Sequence, residues 1–246
     1  MKISGVFINL DKDGERRERM QAQLEALPIP FARLSAVWWP DVPEDEKAAL
    51  YAPEHNARQY YKPLANGEKG CYASHVQAWR QLRASDAQAL VVLEDDVRLQ
   101  ADFAEVIHSL AHVEPSWDMI KLVGREREKV RAQRPLAAGH RLIQYTRVPS
   151  LTAAYVISRA GAEKLLRSRV PFGRPVDVDL RFWFENDLRI FGVQPALVAL
   201  DETSEVSSIW QQRSPLTAQQ RWRKLWMKVQ LTWGNTWARQ PPLPEG

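Results

Sequence analysis

Short apolar runs alternate along this chain with segments of helical spacing. Residues 3–10 (ISGVFINL) form such a run and predict a first strand. The turn formers from Asp11 to Gly14 follow. Met20, Leu24 and Leu27 then recur at i, i+4, i+7, predicting a helix over 15–27 that Pro28 stops. Residues 31–37 predict a second strand. Residues 38–63, punctuated by Pro40, Pro43, Pro53 and Pro63, predict a long irregular surface excursion of the kind that often carries function. Asn66 can cap a helix running to about Arg83. Further strands are expected at 89–93, 117–123, 141–147, 152–157 and 193–200, and further helices at 101–111, 159–167 and 180–190. The charged stretch 125–134 is expected to be an exposed loop or helix.

Strands alternating with helices predict an α/β layered fold with a mainly parallel central sheet. A length of 246 residues suffices for one large domain with a sizeable core. No repeat and no low-complexity tract interrupts the chain. The composition changes near 204–214, so we expect a main domain over 1–209 and a basic, tryptophan-rich tail over 210–246.

Composition narrows the classes of function. No run of about 18 apolar residues exists, so no segment is expected to span a bilayer. The first ten residues lack a small-residue cleavage site and do not read as a signal peptide. A single cysteine, Cys71, cannot form an internal disulfide, which fits a reducing, cytoplasmic setting. The net charge of +4 is unevenly spread: no Asp or Glu occurs between Val206 and Pro244, where Arg213, Arg221, Arg223, Lys224, Lys228 and Arg239 fall. A basic end of this kind suggests an anionic partner.

One stretch demands explanation. In ALVVLEDDVRL (89–99) an apolar run leads directly into Glu94, Asp95 and Asp96. Ligands of open α/β sheets bind at the carboxyl ends of strands. Three crowded carboxylates there repel one another unless a cation offsets them, and a hard divalent cation commonly keeps substrate phosphates as additional ligands. Glu94 and Asp96 point to the same side of an extended chain, while Asp95 points away or sits in the turn. The competing reading is a wet turn of idle acids.

Four stretches together resemble glycosyltransferase family 25, the lipooligosaccharide galactosyltransferase-like family. They are VFINLDKDGERRERM (6–20), GEKGCYASHVQAW (67–79), LVVLEDDV (90–97), and AAYVISRAGAEKLL (153–166) followed by PVDVDL (175–180). They cover about 200 residues in the family's order. The resemblance implies a GT-A fold, a UDP-sugar donor held through Mn²⁺ or Mg²⁺, and an inverting transfer, usually of galactose from UDP-galactose. It implies a lipopolysaccharide or lipooligosaccharide core sugar as acceptor, carried on lipid.

The same resemblance suggests roles. Asp96 is the first choice for direct metal contact and Glu94 the second, with Glu94 and Asp95 near the nucleotide-sugar. Asn9, at the end of the first strand, is placed like a nucleotide contact. Arg17, and less so Arg16, offers a guanidinium that can pair with diphosphate bidentately, against the plainer alternative of a solvated helix face of mixed charge. Glu68, Ser74 and His75 are expected at or beside the donor site. Cys71 shares a helix face with His75, but no second pair completes a zinc site, so it reads as a core residue. Gly67 and Gly70 suggest close backbone approach. Asp177 and Asp179 are candidates for the general base, with Asp177 the closer match; helix capping is the competing role for either. The chain departs from the family at SAVWWP (35–40), where Trp38 and Trp39 either stack on sugar or anchor a loop, and at Leu151-Thr152.

In the tail, Trp222, Trp226, Val229, Trp233 and Trp237 fall on one helical stripe, with Gly234-Asn235 a candidate stop. Tryptophan favours the headgroup level of a bilayer and basic residues contact anionic lipid. The expectation is a peripheral anchor on the inner face of the cytoplasmic membrane. The alternatives are packing on the body or on a second subunit, which would make a homodimer; nucleic acid is not expected. A sugar-phosphate nucleotidyltransferase and a non-catalytic surface module are the rival functions. The first usually carries a glycine-rich phosphate loop, and here only Gly5 and Gly14 occur among the first 60 residues.

Overall fold

The computed structural model describes residues 1–114, 116–124, 128–201, 215–238 and 242–244. The chain opens as expected with β1 (Ile3–Asn9), α1 (Gly14–Leu24) and β2 (Phe31–Ser35). The 38–63 segment is not irregular. It holds a 3-10 turn at Trp39–Asp41, α2 (Glu44–Leu50) and α3 (Pro53–Gln59). Its prolines start helices instead of breaking them: Pro43 precedes α2, Pro53 opens α3, and Glu44, Asp45 and Glu46 crowd the first turn of α2, where the helix dipole favours acids.

Next come α4 (Asn66–Ala84), β3 (Ala89–Glu94), β4 (Val97–Leu99), α5 (Phe103–Leu110), β5 (Met119–Lys121), β6 (Val130–Pro135), β7 (Arg141–Tyr145), β8 (Ala154–Ser158) and α6 (Arg159–Ser168). The described part of 125–134 is thus mostly strand, held by pairing to β7. The helix expected over 180–190 is a short α7 (Val176–Asp179) and a 3-10 stretch, Leu180–Glu185. The last expected strand divides into β9 (Ile190–Gln194) and β10 (Val198–Leu200) around Pro195. The tail forms α8 (Ala218–Trp237). The expected boundary at 204–214 lies outside the described residues.

The eight-stranded sheet has the order β2-β1-β3-β8-β5-β9-β7-β6. Pairing is parallel for β1·β2, β1·β3 and β5·β9, and antiparallel wherever β8 or β7 is a partner. Only β8 and β7 therefore run against the other six strands. The sheet is buried on both faces. Along β3, Leu90 and Val92 face the core with α4 and α6, while Val91 and Leu93 face the core with α1 and α5. This explains why β3 reads as a continuous apolar run.

The chain leaves β1 for β2 on one side and returns to β3 on the other, which makes the carboxyl ends of β1 and β3 a topological switch point. The register Ile8↔Glu94 brings Asn9 and the acidic triplet to that one place. Gly70 of α4 lies so close that a Cβ there would sit 2.5 Å from the Val37 carbonyl, so the motif glycine permits α4 to press on the chain leaving β2.

Candidate active site

Asp95 leaves β3 pointing inward. Its Oδ2 accepts a 2.7 Å hydrogen bond from Asn9 Nδ2 and its Oδ1 lies 3.3 Å from Arg16 Nη1. Burial raises its pKa, opposed first by Asn9 and then by Arg16. Asn9 is fully engaged: Nδ2 also donates to Asp13 O at 3.0 Å, and Oδ1 accepts from Arg33 Nε at 3.1 Å. Asn9 and Asp95 therefore tie the β1–α1 turn to the β3 end. The arginine reaching the triplet is Arg16. Arg17, half-buried, acts electrostatically on the exposed Asp11, whose carboxyl is held below the usual range first by Arg33.

Asp96 has the opposite environment. Its Oδ1 is sealed from solvent with no hydrogen-bond partner. Burial, then the charges of Glu94 and Asp95, push its pKa up to about 7. Glu94 is partly open. A buried, orphaned carboxylate oxygen beside a second carboxylate suits a hard divalent cation, so Glu94 and Asp96 fit as its protein ligands.

His75 stands behind Glu94. It is 1% exposed, and its Nε2 lies 3.5 Å from Glu94 Oε1. Trp79 Nε1 donates to the Tyr155 hydroxyl at 3.0 Å, and that hydroxyl is 2.8 Å from His75 Nδ1. His75 Nε2 itself is buried without a hydrogen-bond partner, facing Glu94.

Cys71, one turn earlier, lies among the acids. Burial pushes its thiol up, followed by the charges of Glu94, Asp177, Asp96 and Glu68. Those four carboxylates, drawn from α4, the β3 end and α7, are thus all within electrostatic reach of Cys71. Glu68 is anchored at the start of α4: Oε2 accepts from Ala65 N at 2.8 Å, and Lys62 Nζ is 3.2 Å from Oε1. Ser74 is 1% exposed, donates to Gly70 O at 2.7 Å and accepts from Val37 N at 2.8 Å, so it fastens α4 to the chain after β2. Trp39 is likewise an anchor, buried against Tyr51 and Phe172, while Trp38 stays open with Lys12 Nζ 4.5 Å from its ring centre.

The two late aspartates separate cleanly. Asp179 is buried, with Oδ1 receiving Arg174 Nε at 2.8 Å and Oδ2 receiving the Tyr72 hydroxyl at 2.6 Å. It locks α7 to α4, with both carboxylate oxygens taken up by these partners. Asp177 is only half-buried. Burial raises its pKa, Val178 N and Lys121 lower it, and Glu94 and Glu68 raise it. Asp177 is thus within electrostatic reach of Glu94 and Glu68.

Lys121 was missed in the sequence. It is 1% exposed on β5, donates to Pro149 O at 2.8 Å, and has a pKa lowered to about 7 by burial, with Asp177 the leading opposing charge. A lysine inside the apolar run WDMIKLV (117–123) was the available signal. Arg181, whose pKa burial lowers and Asp177 raises, joins it.

Comparison with known proteins matches residues 4–180 to the family model described as glycosyltransferase family 25 (LPS biosynthesis protein). Procollagen galactosyltransferase 1-B of Xenopus laevis is 31% identical over 221 residues, 80% of this chain and 36% of that protein. A Bos taurus protein named probable inactive glycosyltransferase 25 family member 3 is 32% identical over 228 residues, 81% of this chain and 37% of its own. The chain thus spans little more than a third of the length of these relatives. A Drosophila galactosyltransferase 7 structure with manganese, UDP-Gal and xylobiose aligns at TM-score 0.44 and 9% identity, covering 90% of this chain and 80% of that one. With the model match extending from β1 through α7 and including Glu68, Glu94, Asp96 and Asp177, the chain belongs to glycosyltransferase family 25.

Proposed function

We propose that this protein transfers a hexose, galactose from UDP-galactose in the first instance, to a sugar hydroxyl of a lipid-carried oligosaccharide such as a lipopolysaccharide or lipooligosaccharide core. The observation that carries the reading is Asp96 Oδ1, buried and unpartnered in the charge field of Glu94, with Asp177 within electrostatic reach of Glu94 and Glu68. Family membership favours moving a sugar over moving a nucleotidyl group, and these residues are the parts that a GT-A enzyme needs.

In this reading Asp177 accepts the proton of the acceptor hydroxyl as its oxygen attacks the anomeric carbon. The bond from that carbon to the diphosphate oxygen breaks, UDP leaves with the electron pair, and a single displacement inverts the configuration. A divalent cation bound by Glu94 and Asp96 would offset the charge gathering on the diphosphate. His75 Nε2 stands 3.5 Å behind Glu94 Oε1. Burial raises the Asp177 pKa and so strengthens it as a base, while Lys121 keeps it from remaining protonated.

The test is incubation of the protein with a panel of nucleotide-sugars and Mn²⁺, without acceptor. Slow release of UDP from UDP-galactose, lost when Mn²⁺ is omitted, is the expected result. No turnover and no binding of any nucleotide-sugar would overturn the proposal.

A further inference from the structure

The tail does not bury its tryptophans. Helix α8 grips the body with one face. Arg223 Nη2 donates to the carbonyls of Asn56, Ala57 and Tyr60, Met227 and Leu231 are buried, and Asn235 Oδ1 accepts from Trp183 Nε1 at 3.1 Å. A Cβ on Gly234 would lie 2.0 Å from Phe184 Cζ, so this glycine serves close packing and the helix continues through it to Trp237.

The opposite face carries Trp222, Leu225, Trp226, Val229, Trp233 and Trp237, between 45% and 76% exposed. Only Trp38 and Leu200 are other large apolar side chains exposed among the described residues. Offsets of 3, 4, 7, 11 and 15 from Trp222 confine these six to about a third of the helix circumference. Arg221 and Lys228, two turns apart and exposed, line one flank, and α8 holds no acid at all. Among the described residues no helix is long and apolar enough to cross a membrane, so a stripe of this kind lies along a surface.

We propose that α8 docks the protein on an anionic lipid bilayer, with the tryptophan stripe at headgroup depth and Arg221 and Lys228 on the lipid phosphates. Charge decides between occupants. A second copy would bring two acid-free, basic flanks together, whereas an anionic membrane is complementary to them. Nucleic acid fits poorly, because Leu225 and Val229 in the stripe offer no ring for a base to stack on. The docking itself does not depend on the transferase reading.

The test is sedimentation of the full chain with vesicles of equal parts phosphatidylcholine and phosphatidylglycerol, and with vesicles of phosphatidylcholine alone, in the absence of donor and metal. Binding to the anionic vesicles, a blue shift of tryptophan emission, and weakening by salt are expected. The double change Trp226→Ala/Trp233→Ala should lower partitioning at least about tenfold. The double change Arg221→Gln/Lys228→Gln should lower it about tenfold or more, on the anionic vesicles only. Both variants alter exposed side chains, so circular dichroism and Tm should match those of the parent. Three outcomes overturn the proposal: equal sedimentation with and without anionic vesicles, a dimer by light scattering that the tryptophan changes dissociate, or competition by a single-stranded oligonucleotide. A protein that binds vesicles but no nucleotide-sugar would leave the docking standing and defeat the proposed function; the converse would defeat the docking alone.

Discussion

His75 Nε2 stands 3.5 Å from Glu94 Oε1, and the rest of the imidazole is fixed from behind by the Tyr155 hydroxyl at 2.8 Å. A buried chain from Trp79 through Tyr155 thus reaches His75, which faces Glu94, the carboxylate proposed as a cation ligand. Partners of this kind orient metal ligands, and their loss typically weakens metal binding about 10–100-fold. Tyr155→Phe keeps the ring and removes only the hydroxyl. Its Mn²⁺ affinity, measured calorimetrically, is expected to fall about tenfold. An unchanged affinity would mean that the chain supports packing alone.

Asp177 is predicted to act in chemistry and not in donor binding. Asp177→Asn should leave metal-dependent UDP binding intact and lower kcat by about 10²–10⁴. A variant that transfers sugar normally, or that loses UDP binding instead, would remove Asp177 from the role of base.

Asp179 is predicted to matter for stability. Asp179→Asn leaves Arg174 without its aspartate in a buried site, although Arg174 keeps Glu185 at 3.3 Å from Nη1. Breaking a buried pair from one side costs about 3–5 kcal/mol, and the remaining partner favours the lower end. The expected observation is a lower denaturant midpoint with near-normal kcat in the folded fraction. Full stability with lost activity would reverse the assignments of Asp177 and Asp179.

In the metal-free protein Asp96 should contribute stability that is lost as pH rises. Its pKa is raised from 3.8 to about 7 in the folded state, so between those values this carboxyl holds a proton in the native protein that it gives up in the unfolded chain. Its contribution falls with increasing pH across that window and levels off above about 7. Asp96→Asn should flatten the slope. A stability that climbs from pH 4 to 7 to the same extent in both proteins would contradict the buried, charge-crowded setting of Asp96.

The larger elements were legible in the sequence because their signals are local. The apolar run of β3 and the i, i+4, i+7 spacing of α1 each followed from a single stretch. What was missed depended on contacts between distant segments. Asn9, Ser74 and Asp179 have the chemistry of ligand contacts, but each is consumed by partners 4 to 107 residues away, such as Asp95, Val37 and Tyr72. Arg16 and Arg17 are neighbours, and only the packing of α1 decides which reaches Asp95. Pro43 and Pro53 were read as breakers because local pattern does not tell a proline that opens a helix from one that ends it.

The central claim is that Glu94 and Asp96 grip a cation which in turn holds the donor diphosphate. Its most direct measurement is calorimetric titration of UDP into the protein with and without Mn²⁺, repeated on Asp96→Asn. The account predicts binding that requires the metal in the parent protein and is weakened at least about tenfold in the variant. UDP binding of equal strength with and without Mn²⁺, or unaffected by Asp96→Asn, would contradict it.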